Sequence, residues 1–180
     1  MYRAPHSNFI IISGGEKRVG KTYLAVALIR HFSDQSPVIA LKISPHRHDR
    51  LGNVVTIAEN SGFRLFRELD IHRKNSGQYL NAGAEASFFL ETQDGFLEEA
   101  IDVFLKKCNP GDLPVICESG ALGTIIEPGL MIFITDPDKI LNSYKESVRK
   151  SADLVLPARQ FSSLSVLDSI QLVGNRWMKK

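Results

Sequence analysis

The 180-residue sequence predicts an α/β domain, a mostly parallel sheet with helices on both faces. Three observations carry that prediction. A short apolar run at 9–12 enters a glycine-bearing loop and then a helix-patterned segment at 23–32. Apolar runs of strand length recur at 38–43, 87–91, 113–117, 130–134 and 153–156. Helical patterns separate several of these runs, which is the rhythm of parallel strands joined by crossover helices. With 43% hydrophobic and 23% charged residues, the composition suits one ordinary domain spanning 1–180.

The first strand leads into Gly15-Glu16-Lys17-Arg18-Val19-Gly20-Lys21-Thr22. This segment satisfies G-x-x-x-x-G-K-[ST] at every fixed position, between a strand and a helix as the phosphate-binding loop requires. Glycines let backbone wrap closely around a phosphate, and loop N–H groups and the helix start supply positive potential. Lys21 is expected to reach β- and γ-phosphates, and the Thr22 hydroxyl to ligate Mg²⁺. The nucleotide-binding set is therefore Gly15, Glu16, Lys17, Arg18, Val19, Gly20, Lys21, Thr22 and Tyr23. Lys17 and Arg18 stand either as extra charge at the phosphates or as a solvated crest. The fold expected is a three-layer P-loop NTPase domain binding a nucleoside triphosphate, GTP or ATP. In the helix that follows, Leu24, Ala25, Leu28, Ile29 and Phe32 form one apolar face.

The second strand, 38–43, runs into a polar loop carrying His46, His48 and Asp49. Ligands of open α/β sheets sit outside the carboxyl ends of strands, so Lys42, His46, His48 and Asp49 are candidates for a switch or substrate loop. Residues 51–81 break the rhythm. Extended runs at 53–58 and 63–69 flank Asn60-Ser61-Gly62 and predict a hairpin excursion from the main sheet, followed by a flexible basic segment at 71–78.

After the strand at 87–91, residues 93–107 give the clearest helix, with Phe96, Leu97, Ala100, Ile101, Phe104 and Leu105 as its apolar stripe. Thr92 or Asp94 is expected to cap it, and Asn109-Pro110-Gly111 to end it. The strand at 113–117 ends in Glu118-Ser119-Gly120. A carboxylate at that position is where Mg²⁺ is held in such sites, which makes Glu118 the partner of Thr22. Asp136-Pro137 is expected to open a helix whose inner face is Ile140, Leu141, Tyr144 and Val148. After a last parallel strand at 153–156, the tail predicts a short helix and an extended 171–178.

Net charge of +2 argues against nucleic acid as a partner. No apolar run has membrane-spanning length, and the polar start predicts no signal peptide. Cys108 and Cys117 lack metal-ligand spacing, and Cys117 reads as a reduced core thiol. These features suit a cytoplasmic protein and leave a homodimer open.

Over roughly 9–120 the chain resembles the molybdopterin-guanine dinucleotide biosynthesis protein B family. The features shared are the phosphate loop, Lys42 through His46, His48 and Asp49, the Lys74-Asn75-Ser76 and Ala82-Gly83-Ala84 segments, and Glu118 before glycine. The chain departs from that family at Asn75, where aspartate is usual, at the inserted Ser119, and in the charged middle of the phosphate loop. The resemblance implies a GTP-binding accessory protein of molybdenum-cofactor maturation, slow in hydrolysis and acting through a partner enzyme. The phosphate loop and Glu118 also resemble dethiobiotin synthetase, which implies ATP-dependent chemistry on a small carboxylated metabolite. Thr135-Asp136-Pro137-Asp138 matches a guanine-reading Asn-Lys-x-Asp box only at its ends.

Overall fold

A computed structural model of the chain describes residues 4–47, 53–71, 76–93, 95–158 and 163–180. His48, Asp49, Lys74, Asn75 and Asp94 lie outside the described residues. The elements run β1 (Ala4–Gly14), α1 (Lys21–Phe32), β2 (Ile39–Ser44), β3 (Val54–Glu59), β4 (Phe63–Glu68), α2 (Gly77–Asn81) and β5 (Ala86–Thr92). They continue with α3 (Leu97–Cys108), β6 (Val115–Glu118), a 3₁₀ turn (Leu122–Thr124), β7 (Ile126–Thr135), α4 (Ser143–Lys150), β8 (Leu154–Pro157), α5 (Ser163–Asp168), β9 (Ile170–Val173) and β10 (Arg176–Lys179).

Eight strands form one sheet in the order β3-β4-β5-β2-β6-β1-β7-β8. From β5 to β8 all neighbours are parallel, whereas β4 runs antiparallel to β5 and β3 to β4. The two faces are read directly from β1. Ile10 and Ile12 point into a core with α1, while Phe9 and Ile11 point into a core with α3. The five residues predicted for the inner face of α1 are the five it buries. Each large one contributes about 1.5–3 kcal/mol of burial. Beyond them the β9–β10 hairpin covers α1, with Trp177 packed edge-on against Phe32 at 4.9 Å. On the other face, Phe104 of α3 meets Phe88 edge-on at 5.4 Å.

Several expectations are corrected. The predicted hairpin is present, but it is no excursion: β4 pairs with β5 and extends the main sheet. The Arg64–Glu91 ion pair, 2.5 Å, lies across that join, with Glu91 buried. Within the segment predicted to be flexible, Ser76 is fully buried, donates to Glu68 at 2.5 Å and leads into α2. The helix α3 begins at Leu97 rather than 93, with Phe96 at the cap position and no side-chain cap, because Thr92 closes β5 instead.

Asp136 does not open a helix either. Its carboxylate accepts from the Asp138 N–H at 3.1 Å and its carbonyl from the Lys139 N–H at 3.1 Å, a local turn that competes with helix. The helix starts seven residues later, capped by Asn142, whose side chain accepts from the Lys145 N–H at 2.8 Å. Val148 is buried there, but Ile140 is fully exposed in the preceding loop and Tyr144 is exposed.

Candidate functional site

Parallel register assembles the site. Ile12 of β1 lies opposite Glu118 of β6, and Glu118 lies opposite Lys42 of β2. The carboxyl ends of three adjacent strands thus meet where β1 passes into the 15–22 loop. Two of the loop's constraints explain its sequence. Gly20 has φ +111°, a conformation that side chains resist. At Gly15 a Cβ would come within 2.7 Å of Leu141 and 2.9 Å of the Thr135 hydroxyl. Arg18 also sits at positive φ, 63°, at the exposed crest with Lys17. Val19 is buried in the α1 core and anchors the loop from inside. Exposed Tyr23 lies in the first turn of α1.

Lys21 folds across the loop, its ammonium donating to the Glu16 carbonyl at 2.8 Å. The Glu16 carboxylate accepts from the Asp136 N–H at 3.5 Å. Thr22, next along, donates its hydroxyl to Oε2 of Glu118 at 2.7 Å. The same oxygen accepts from the Tyr79 hydroxyl at 2.6 Å and pairs with the Lys42 ammonium at 3.3 Å. Burial pushes the Glu118 carboxyl upward. The Lys42 charge, the hydrogen bonds from Tyr79 and Thr22 and the Lys21 charge outweigh it and hold the group below the ordinary carboxylate range. Burial pushes the Tyr79 hydroxyl well up, and the neighbouring Glu118 charge adds to it. Burial likewise lowers Lys21; the charges of Lys42 and Lys145 lower it further, while Glu118 opposes them.

The structure brings Thr22, Lys42 and Glu118 into contact, with Lys21 close by; Lys42, read from sequence with the switch or substrate loop, instead pairs with Glu118. Exposed His46 is not among them; its contacts with Ser44 run through its own backbone. Arg47 turns toward the β3–β4 connection, donating to the Ser61 carbonyl at 3.0 Å. Two residues of the site escape sequence reasoning. Tyr79 comes from the end of the irregular 51–81 stretch. Lys145 comes from α4, and its ammonium donates to the Gly15 carbonyl. No spacing signal points to either residue, because each contact spans far-apart sequence.

Chemically the site is a glycine-bearing backbone loop with three ammonium groups near it and one buried carboxylate. That set favours a polyanion. A hydroxyl beside a carboxylate held ionised is a hard-oxygen pair of the kind Mg²⁺ takes alongside phosphate oxygens, so the residues fit that ion.

Next to the loop, on the α3 and α4 side of the sheet, lies a cavity of about 570 Å³. Ser13 and Gly14 at the end of β1 form part of its wall, as do Ser119, Gly120, Tyr144 and Lys145. In comparisons with known proteins, the chain matches no family model, no curated protein and no solved structure. Among the described residues, no helix is long and apolar enough to cross a membrane.

Proposed function

We propose that the chain binds a nucleoside triphosphate with Mg²⁺ through the 15–22 loop. In this reading it acts as a small P-loop NTPase of the molybdopterin-guanine dinucleotide biosynthesis protein B type. It would be a GTP-binding accessory protein with weak hydrolysis, serving a cofactor-biosynthesis enzyme. The observation that carries the reading is the Thr22 hydroxyl on Glu118 at 2.7 Å, at the mouth of a complete phosphate-loop motif. Lys21 and Lys42 would neutralise phosphate charge, and the α1 start, which has no side-chain cap, would present its N–H groups. Thr22 and Glu118 would hold the ion, which supplies charge neutralisation at the phosphate oxygens when bound.

Titration with GTP and with ATP, each with Mg²⁺, tests this. GTP is expected to bind more tightly, and Lys21→Ala to weaken binding by well over tenfold, since a charge-assisted contact contributes on the order of 1.5–3 kcal/mol. Unaltered affinity in Lys21→Ala would remove the proposal. A preference for ATP would favour the second reading, a ligase or kinase acting on a small carboxylated metabolite. The cavity beside the loop supports that second reading, because a metabolite enzyme needs a formed acceptor pocket there.

A further inference from the structure

The cavity has apolar walls and one cationic corner. Ile43, Leu97, Ile125, Phe133 and Val148, from five different parts of the chain, are among its lining residues, and Gln93 and Thr124 add polar groups. Lys145 stands where the cavity meets the 15–22 loop. Its ammonium has three donors, and the Gly15 carbonyl takes one. Glu98 also lines the cavity, but from the exposed first turn of α3. Ser119 is turned to its own chain, its hydroxyl oxygen accepting from the Ala121 and Leu122 N–H groups at 3.2 and 3.0 Å.

We propose that this cavity is an acceptor site for a small monoanion. Its ligand has an apolar body and one carboxylate, and the carboxylate rests on Lys145 beside the phosphate loop. The inference rests on the metabolite reading and gives it a substrate class. Three features support the class. The apolar walls reward a hydrocarbon or aryl body, since burying apolar surface is favourable by about 25 cal/mol per Å². Lys145 is the one cation among the described residues that line it, so a second, well-separated negative charge would find no ion-pair partner there, which disfavours dianions. The half-buried ammonium of Lys145 already shares its field with Lys21, so an anion beside it relieves repulsion as well as forming an ion pair. The volume lies within the usual range for small-molecule sites.

The test uses the full chain without nucleotide, titrated calorimetrically with 4-phenylbutanoate and with its uncharged amide. The carboxylate is expected to bind at least about fivefold more tightly than the amide. Lys145→Met should abolish that difference and Lys145→Arg should keep it. Ala121→Trp, which places an indole in the cavity wall, should weaken both probes about tenfold or more while circular dichroism shows an intact fold. The two Lys145 variants carry the test if the tryptophan variant does not fold. Equal affinity for the two probes, a carboxylate preference that survives Lys145→Met, absence of binding, or displacement of the probe by guanosine would each overturn the proposal. Because no nucleotide is present, the outcomes separate. Probe binding without triphosphate binding refutes the proposed nucleotide function alone, and triphosphate binding without probe binding refutes the cavity alone.

Discussion

One oxygen, Oε2 of Glu118, collects the Thr22 and Tyr79 hydroxyls and the Lys42 ammonium. Glu118 and Thr22 were legible because each sits in a local pattern, a strand end and a motif. Tyr79 and Lys145 were not. Their contacts to Glu118 and Gly15 span 39 and 130 positions, and only the sheet order brings them together. Tyr79→Phe keeps the ring in its buried place and deletes one hydrogen bond to a charged acceptor. Urea denaturation should show a loss of about 1.5–3 kcal/mol; a change below a few tenths would mean that the hydroxyl does not support Glu118. At Gly20, φ +111° makes any Cβ costly, so Gly20→Ala should lower stability by roughly 1–3 kcal/mol and weaken triphosphate binding with it. The thiols supply a pH test. Burial raises Cys108 to about 11, only partly opposed by Arg67, and raises Cys117 well above the ordinary thiol range. Folding thus favours the protonated thiols; the contribution of Cys108 is fully present below the unfolded thiol value near 9 and is lost as pH rises from there through about 11. Ellman's reagent at pH 8 should react about tenfold or more slowly with the native chain than with the urea-unfolded chain. Equal rates would show that Cys108 is open.

At the scale of elements, periodicity was the reliable signal and boundaries were the weak one. The α1 face is legible because its spacing is helical and one stripe meets both the sheet and the β9–β10 hairpin. The start of α3 is not legible, because Thr92 belongs to β5 and the helix begins without a side-chain cap. The start of α4 is not legible either, because Asp136 satisfies its own turn first. The hairpin's place in the sheet was illegible, since antiparallel addition at β5 depends on long-range pairing with β4. Two variants test these elements. Asn142→Ala removes the cap of α4 and should cost about 0.5–2 kcal/mol. The loss should be local, so hydrogen exchange over 143–150 should quicken more than exchange in β1 or β6. Uniform quickening would contradict a capping role. Arg64→Met leaves the buried Glu91 carboxylate without its guanidinium and should destabilise by about 3–5 kcal/mol. A near-neutral result would show that the β4–β5 join does not depend on the pair.

At the scale of the whole molecule, the sheet order decides which parts can respond to a ligand. Much of 53–81 is built into the sheet as β3 and β4 or into α2. The described segments at the carboxyl edge include the 15–22 loop, 44–47, the turn after β6, the connections after β5 and β7 and the start of α4. A ligand that binds only the folded chain stabilises it by about 2.7 kcal/mol at a hundredfold excess over its Kd. For a chain of this size that is a rise in Tm of about 5–11 °C. A non-hydrolysable GTP analogue with Mg²⁺ should therefore raise Tm by that amount. It should also slow hydrogen exchange in the edge segments beyond the global gain, leaving the β3–β4 hairpin with the global gain alone. Extra protection centred on β3 and β4 would contradict this, because strands already paired into the sheet have little further order to gain. No change in Tm would remove nucleotide binding itself.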